Sequence, residues 1–588
     1  MRFVLAIVSF VVAIAAIGYG VAQRTVLAQP DEITTSIAVS GNAPVTVVDG
    51  KTLNAFDGNQ TLMVEGSNGV FAAYGRTIDV LGWVGEAKHN RISWDAEQQE
   101  LVSETAAGEE TEVPDPMGSD LWIGDYLQEE QLTITVNVPD STSFMLVSDG
   151  AAPAPRNISL TWPVDNSTPW SGPLIVGGAL LLLVGLGLLL WALAHMRKAR
   201  GPRRKAPKMP KLPKPPKYKP VKRGKPKAVE SSGSGRRSSA RGMTAVVPVL
   251  LVGTLALGSC SAENWPQFGG DETPTPTPTS AAELDVDVEP PAATVRQVER
   301  IIERVSAVAV EADAARDAEL LATRFAGPAL ELRSVNYTIR GKDPEIGGLP
   351  AIPPGPLEVI LPQAKEGWPR TIFTVIEDPE DETVAPTALF LIQEHARADY
   401  KVHYAMTFEP SAVLPDMAPP ELGTYRLPDE TGLLALAPSQ VAAAYGDILL
   451  KDTESEFYDL FEAEGDSLRA AVGVEAKAAE RAELPDTASI AWSIAEGTGQ
   501  TIPLATNDAG ALVAVSLKEI TTVKPDEAGA AVNPSGAVKA LSDVSISTKG
   551  VTATYADQLL FYVPSATSGD KIVLLGFSQG LIAATEIE

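Results

Sequence analysis

Three long apolar runs interrupt a chain that otherwise alternates between apolar and polar positions. Phe3–Ala22 carries no charge over 20 residues; at about 1.5 Å per residue it spans the roughly 30 Å hydrocarbon core of a bilayer. The run predicts an uncleaved anchor, and the competing reading is a secretory signal processed after "VLA", ahead of Gln29. Pro173–Ala194 predicts a second spanning helix, with Trp170 and Trp191 placed as interfacial aromatics. Thr244–Ser259 is shorter and is broken by Pro248, Gly253 and Gly258, as expected of a signal-type apolar core. An uncleaved third helix is the alternative there.

Between the first two runs the period is two. "QLTITVNVP" places Leu132, Ile134, Val136 and Val138 on one face, and "SFMLVSDG", "PVTVVDG", "TLMVEG", "GVFAAYG" and "NISLTW" add strands at hairpin spacing. An all-β antiparallel sandwich is expected. The tetrapeptides beginning at Trp83 and Trp122 echo each other, which core packing explains.

After the third run the period changes. Thr294 and Gln297 fit a capping box, and Val295, Val298, Ile302, Val305 and Ala309 make one helical stripe. A second helix is expected near "DAELLATRFAGPAL", followed by the strands "RTIFTVIED", "TALFLIQEH" and "DYKVHYAMTFEP". From Pro438 the order recurs: helices at "SQVAAAYGDILL" and "EFYDLFEAEGDSLRAAV", then strands at "ASIAWSI", "ALVAVSLKEITTV", "VTATYADQLLFYVP" and "KIVLLGFS". Helices first and a meander after, twice, predict a duplicated α+β unit.

Charge turns these runs into a topology. The 588-residue chain has a net charge of -28. Residues 196–242 hold 18 Lys or Arg and one acid, Glu230, for +17, leaving -45 on the rest. By the positive-inside rule the basic stretch stays in the cytoplasm, and the regions on either side of it are extracytoplasmic. Its Lys–Pro alternation excludes a packed core and favours extended chain. Contact with anionic lipid headgroups is the expected incidental partner; nucleic acid is not, since no base-reading fold accompanies the charge. One cysteine, Cys260, excludes an intrachain disulfide framework and any Cys-rich zinc site.

Leu257-Gly258-Ser259-Cys260, behind Arg236, Arg237 and Arg241, resembles the lipobox of bacterial lipoproteins. The resemblance implies lipidation at Cys260, and the residues that follow, 261–291, read as an acidic Thr/Pro-rich tether. Two envelope proteins joined end to end would read this way. A merged pair of reading frames would too; a separate start at Met243 lacks a basic leader, whereas one at Met209 keeps it.

The helix-then-meander order over 292–588 resembles tandem nuclear-transport-factor-2-like cones, in which a curved sheet wraps helices around a pocket. The whole chain resembles uncharacterised actinobacterial membrane-anchored envelope proteins, some of whose relatives bear a glycosyltransferase label. No catalytic residue transfers by match, and Asp285-Val286-Asp287 lies in the tether, a poor place for a sugar-nucleotide metal site.

The boundaries expected are an anchor at 1–23, the sandwich at 30–168, a spanning helix at 173–195, the basic linker at 196–242, the lipobox segment at 243–260, the tether at 261–291, and α+β copies at 292–425 and 435–588. Candidate chemistry is sparse. Gly576-Phe577-Ser578-Gln579-Gly580 has the spacing of a nucleophile elbow, but His89, His195, His395 and His403 all precede it, so a turn at the last strand is expected instead. His395 and His403 with Glu394 and Asp399 form a candidate metal set only if a hairpin joins them. Tyr404, Tyr555 and Asp557 are candidate acid–base groups for a cone pocket. No catalytic residue, cofactor or metal is assigned. The expected function is non-catalytic binding or scaffolding outside the cytoplasmic membrane, toward an unknown envelope partner or ligand; the alternatives are an envelope hydrolase or transferase using the pocket, and an outside-to-inside sensor.

Overall fold

The computed structural model describes residues 2–28, 30–67, 69–164, 168–199, 289–378, 381 and 383–588. The chain divides into two compact units. The lipobox residues Leu257, Gly258, Ser259 and Cys260, the basic linker from 200 onward, most of the tether and Asp285-Val286-Asp287 lie outside the described residues.

The first unit is a pair of helices, Arg2–Thr25 and Ser171–Ala199, both long and apolar enough to cross a membrane. They pack closely through small residues: a Cβ on Gly178 would sit 2.6 Å from Cγ1 of Ile17. Ser9 Oγ donates to the Leu181 carbonyl at 2.8 Å, and Arg24 Nε donates to Ser171 Oγ at 2.9 Å. Close backbone approach and interhelical hydrogen bonds are what hold helices together in lipid.

The second unit joins residues 34–162 to the described residues from 289 onward. Among the described residues its first region has the strands β1 (Glu32–Ala38), β2 (Val45–Val48), β3 (Gln60–Glu65), β4 (Val70–Arg76), β5 (His89–Asp95), β6 (Glu100–Ala106), β7 (Gly124–Gln128), β8 (Gln131–Val136), β9 (Thr142–Val147) and β10 (Asn157–Pro163). They form a four-stranded sheet, β1-β10-β3-β8, and a six-stranded sheet, β6-β5-β2-β9-β4-β7. Trp94 of β5 and Trp162 of β10 meet edge to face at 5.2 Å between ring centres, with Phe56 beside both. The sandwich is not wholly antiparallel, because β2 and β5 run parallel. Nor is it all β: the helix Thr77–Val84 follows β4.

The second region carries β11 (Leu357–Pro362), β12 (Arg370–Ile376), β13 (Thr387–Gln393), β14 (Lys401–Phe408), β15 (Ala488–Glu496), β16 (Ile502–Ala505), β17 (Ala511–Pro525), β18 (Val551–Val563) and β19 (Val573–Glu586). They make one antiparallel sheet in the order β11-β12-β13-β14-β19-β18-β17-β15, with β16 also on β17. Two meanders therefore meet at their last strands, through the pairs Thr407 with Phe577 and Phe408 with Gly576.

Each meander has its own helical cover. The helix Val295–Ala315 has the expected capping box, and its stripe packs on Ile372, Leu389, Leu391 and Val402 of the first meander. The helix Pro438–Lys451 packs on Val513, Val515, Leu559 and Phe561 of the second. The opposite faces meet each other: Phe373, Phe390 and Tyr404 share a core with Ile502, Leu512 and Leu560. Two expectations fail locally. "EFYDLF" forms 3-10 turns rather than a helix, and its Phe461 bridges to Ile572. The second helix of the first copy is only Ala318–Leu321, and after a non-helical stretch Gly327–Lys342 starts afresh at Gly327 (φ +52°).

Candidate functional site

The second meander outruns its helical cover, and the cleft lies where it does so. Along β17 the inward positions Val513, Val515 and Leu517 continue the core, and the same face then turns to Glu519, Thr521 and Val523. Along β18 the core positions Phe561 and Leu559 give way to Asp557, Tyr555, Ala553 and Val551 on the same period. Register puts the change at one level, since Glu519 pairs with Tyr555 and Asp557 pairs with Leu517 on one side and Gln579 on the other.

A cleft of about 800 Å³ opens over this polar end. The helix Val474–Glu483 lines it with Ala476, Lys477 and Glu480, β15 adds Trp492, and residues 531–535 with Val538 of the helix Gly536–Ser542 close the far wall. Arg481 stacks over the Trp492 ring at 4.8 Å, holding the indole in place.

The deep end of the cleft is rich in acceptors. Lys477, nearly buried, donates to Glu519 Oε1 at 2.7 Å and to the Val472 carbonyl. Glu519 Oε2 is buried without a hydrogen bond among the described residues, and Asp557, fully buried beside Gln579, lies off the cleft wall. Burial pushes the Asp557 carboxyl up to about 7 and the Glu519 charge adds to the rise; Gln579 and Lys477 pull it back. Tyr555 is raised by burial and by Glu480 and Glu519. A buried acid holding a proton near neutrality avoids the cost of an unpaired charge.

Other sequence candidates resolve differently. Tyr404 sits on the opposite face of the sheet and donates to the Gln500 carbonyl at 2.8 Å. The sequence from Gly576 to Gly580 is not a turn but the middle of β19, where Gly576 packs against the backbone of Thr407 and Phe408 and Ser578 pairs with Gln558. Asp399 is held by Arg324 at 3.4 Å, and burial drives the His403 imidazole down to about 4. No metal-holding group of His, Cys, Asp and Glu occurs among the described residues. Of the acid–base candidates, Tyr555 lines the cleft and Asp557 is fully buried off its wall; the lining residues Lys477, Glu519 and Trp492 were missed. Glu519 alone carried a signal, a charged residue at an inward position of an apolar strand.

The two folded regions meet through charge. Arg370, wholly buried, donates from Nη2 to Asp79 Oδ1 at 2.6 Å, while Arg76 grips the same carboxylate at 2.7 and 3.1 Å. Asp120 accepts from Arg324 at 2.5 Å, from Arg304 at 3.1 Å and from the Tyr400 backbone N–H at 2.9 Å. The two echoing tetrapeptides come together here, with the Trp83 and Trp122 rings 5.7 Å apart.

Fold and site thus define an α+β domain of two helix-covered meanders sharing one sheet, with an acceptor-rich cleft in the second. The chain belongs to the family of the domain of unknown function DUF8094, which matches residues 289–586. No curated protein matches the chain, and no solved structure does.

Proposed function

We propose that this chain is a membrane-anchored cell-envelope protein whose folded regions lie together outside the cytoplasmic membrane, and that the cleft of the second meander binds a ligand. The observation carrying the binding role is that cleft: about 800 Å³, walled by Trp492, Val523 and Val551, with Glu519, Lys477 and Tyr555 at its polar end. It fits a small molecule with an apolar body and a hydrogen-bond-donating head. Each half reads as a cone of the nuclear-transport-factor-2 kind, the first filled by its helix and the second partly open.

Crossing parity supports the topology. Residues 34–162 and the second folded region share one compact unit, so both lie on one side of any membrane. If Ser171–Ala199 spans, the chain must return before 289. Thr244–Ser259 is the apolar stretch placed to do so, which leaves the basic linker on the cytoplasmic side. The lipobox-like end then delivers Cys260 to the outer surface for lipidation.

An envelope hydrolase or transferase is the second reading, favoured by the Asp557 proton held near neutral pH. Asp557 is fully buried, so binding is preferred. The test is native mass spectrometry of the full chain extracted from its own membranes, beside Ala488→Trp, which fills the cleft. A small molecule bound to the parent and lost from the variant supports the reading; equal occupancy in both, or none in either, ends it.

A further inference from the structure

The ion pairs between the two folded regions sort by sign, although Arg76 of the first region also donates to the Pro291 carbonyl at 2.8 Å. The carboxylates Asp79, Asp120 and Glu110 come from the first region, and the arginines that hold them, Arg370, Arg324, Arg304 and Arg397, come from the second. Asp79 and Asp120 are buried, so their pairs are desolvated rather than surface contacts. Backbone carbonyls accept as well: Gln297 donates to the Leu121 carbonyl at 2.8 Å, Arg300 to Ile123 at 3.0 Å, and Arg397 to Trp83 at 2.7 Å and Val84 at 2.9 Å. The last two carbonyls end the helix Thr77–Val84, where a cation is favoured by the helix dipole. Shape matches too. Trp368 lies so close over Gly82 that a Cβ there would be 2.6 Å from the indole.

Carboxylates on one side, arginines on the other and an aromatic contact, with the Asp79 and Asp120 pairs desolvated at the centre, are the makings of a subunit interface. The connection between the regions adds little to this. A chain of more than 100 residues, from 163 to 288, gives a low effective concentration compared with a short linker.

We propose that the two folded regions are separable components, and that the arginine face of the family domain is a docking surface that holds the first region without the covalent connection. Cleavage ahead of Cys260 would then leave one assembly with two anchors, a helix pair and a lipid. Specificity resides in paired buried charge, so the bound state resists salt.

The test cuts the full chain in detergent at a site-specific protease sequence inserted between Thr279 and Ser280. The pieces 1–279 and 280–588 are expected to purify and elute together at micromolar concentration in about 0.5 M salt. Separation of the pieces on cutting would overturn the proposal. Glu110 and Arg397 form a partly exposed pair at the rim, so their variants keep the fold. Glu110→Arg is expected to weaken re-association about tenfold, and adding Arg397→Glu to recover most of it. No recovery in the double variant would remove recognition from the arginine face.

Discussion

Arg370 and Asp79 stand 291 residues apart in the chain, yet Nη2 of one lies 2.6 Å from Oδ1 of the other, and both side chains are buried. Arg370 also stacks on Trp368, 3.9 Å from the ring centre. Removing one partner of such a pair strands the other in a poorly solvated place, at a cost of about 3–5 kcal/mol. Arg370→Met is expected to lose about 3 kcal/mol, since Arg76 still neutralises Asp79. Urea unfolding followed by tryptophan fluorescence measures it. A loss well below 1 kcal/mol would mean that the contact is not made in solution.

Two buried groups give stability opposite slopes with pH. Asp557 rises from an ordinary 3.8 to about 7, so the folded state holds its proton more tightly than the unfolded chain does. That contribution is full below pH 4 and is lost as pH rises through 7, by at most about 4 kcal/mol. Asp557→Asn should therefore melt higher than the parent at pH 8, with the gap closing toward pH 4. His403 falls from 6.5 to about 4, so its contribution is present above pH 6.5 and lost as pH falls through 4. His403→Gln should flatten the acid limb alone. Melting curves across pH 4–8 separate the two.

Ser578 lies mid-strand, paired with Gln558 and close to the seam between meanders. It lacks the exposed strand-to-helix turn that an elbow serine requires. A fluorophosphonate probe should leave it unlabelled in the folded protein, and Ser578→Ala should melt with the parent. Labelling at Ser578 would restore the esterase reading.

Gly178 brings the two apolar helices together. A leucine there overpacks the contact, costing about 1–3 kcal/mol. With Cys260 replaced by serine, a disulfide between cysteines at Ser9 and Leu181 should form readily, and Gly178→Leu should slow it markedly. Formation of that cross-link in cells also requires that Phe3–Ala22 is retained, which a cleaved signal would forbid.

Local pattern carried much of this fold. The period-two runs of the first region became β2, β3, β4, β8, β9 and β10, and the box of Thr294 and Gln297 opens its helix as expected. The helix Thr77–Val84 was not legible, because its eight residues sit between strands and are fixed by contacts with Trp368 and Ala396, far along the chain. Tyr555 and Asp557 could be named from strand spacing. Lys477 and Glu519 could not be joined to them, because the helix of one and the strand of the other meet only through tertiary packing. The contact of Asp79 with Arg370 has no local signature at all: each reads as an ordinary surface charge until the partner region is in place.

That contact has a consequence for how the protein is made. During synthesis at roughly 5–20 residues per second, Arg370 leaves the ribosome about 15–60 s after Asp79. Until then Asp79 has Arg76 alone for a partner, and the surface at Gly82 that Trp368 covers is open. A nascent chain that stalls before residue 370 would therefore display an unfinished patch, open to chaperones and to degradative surveillance alike.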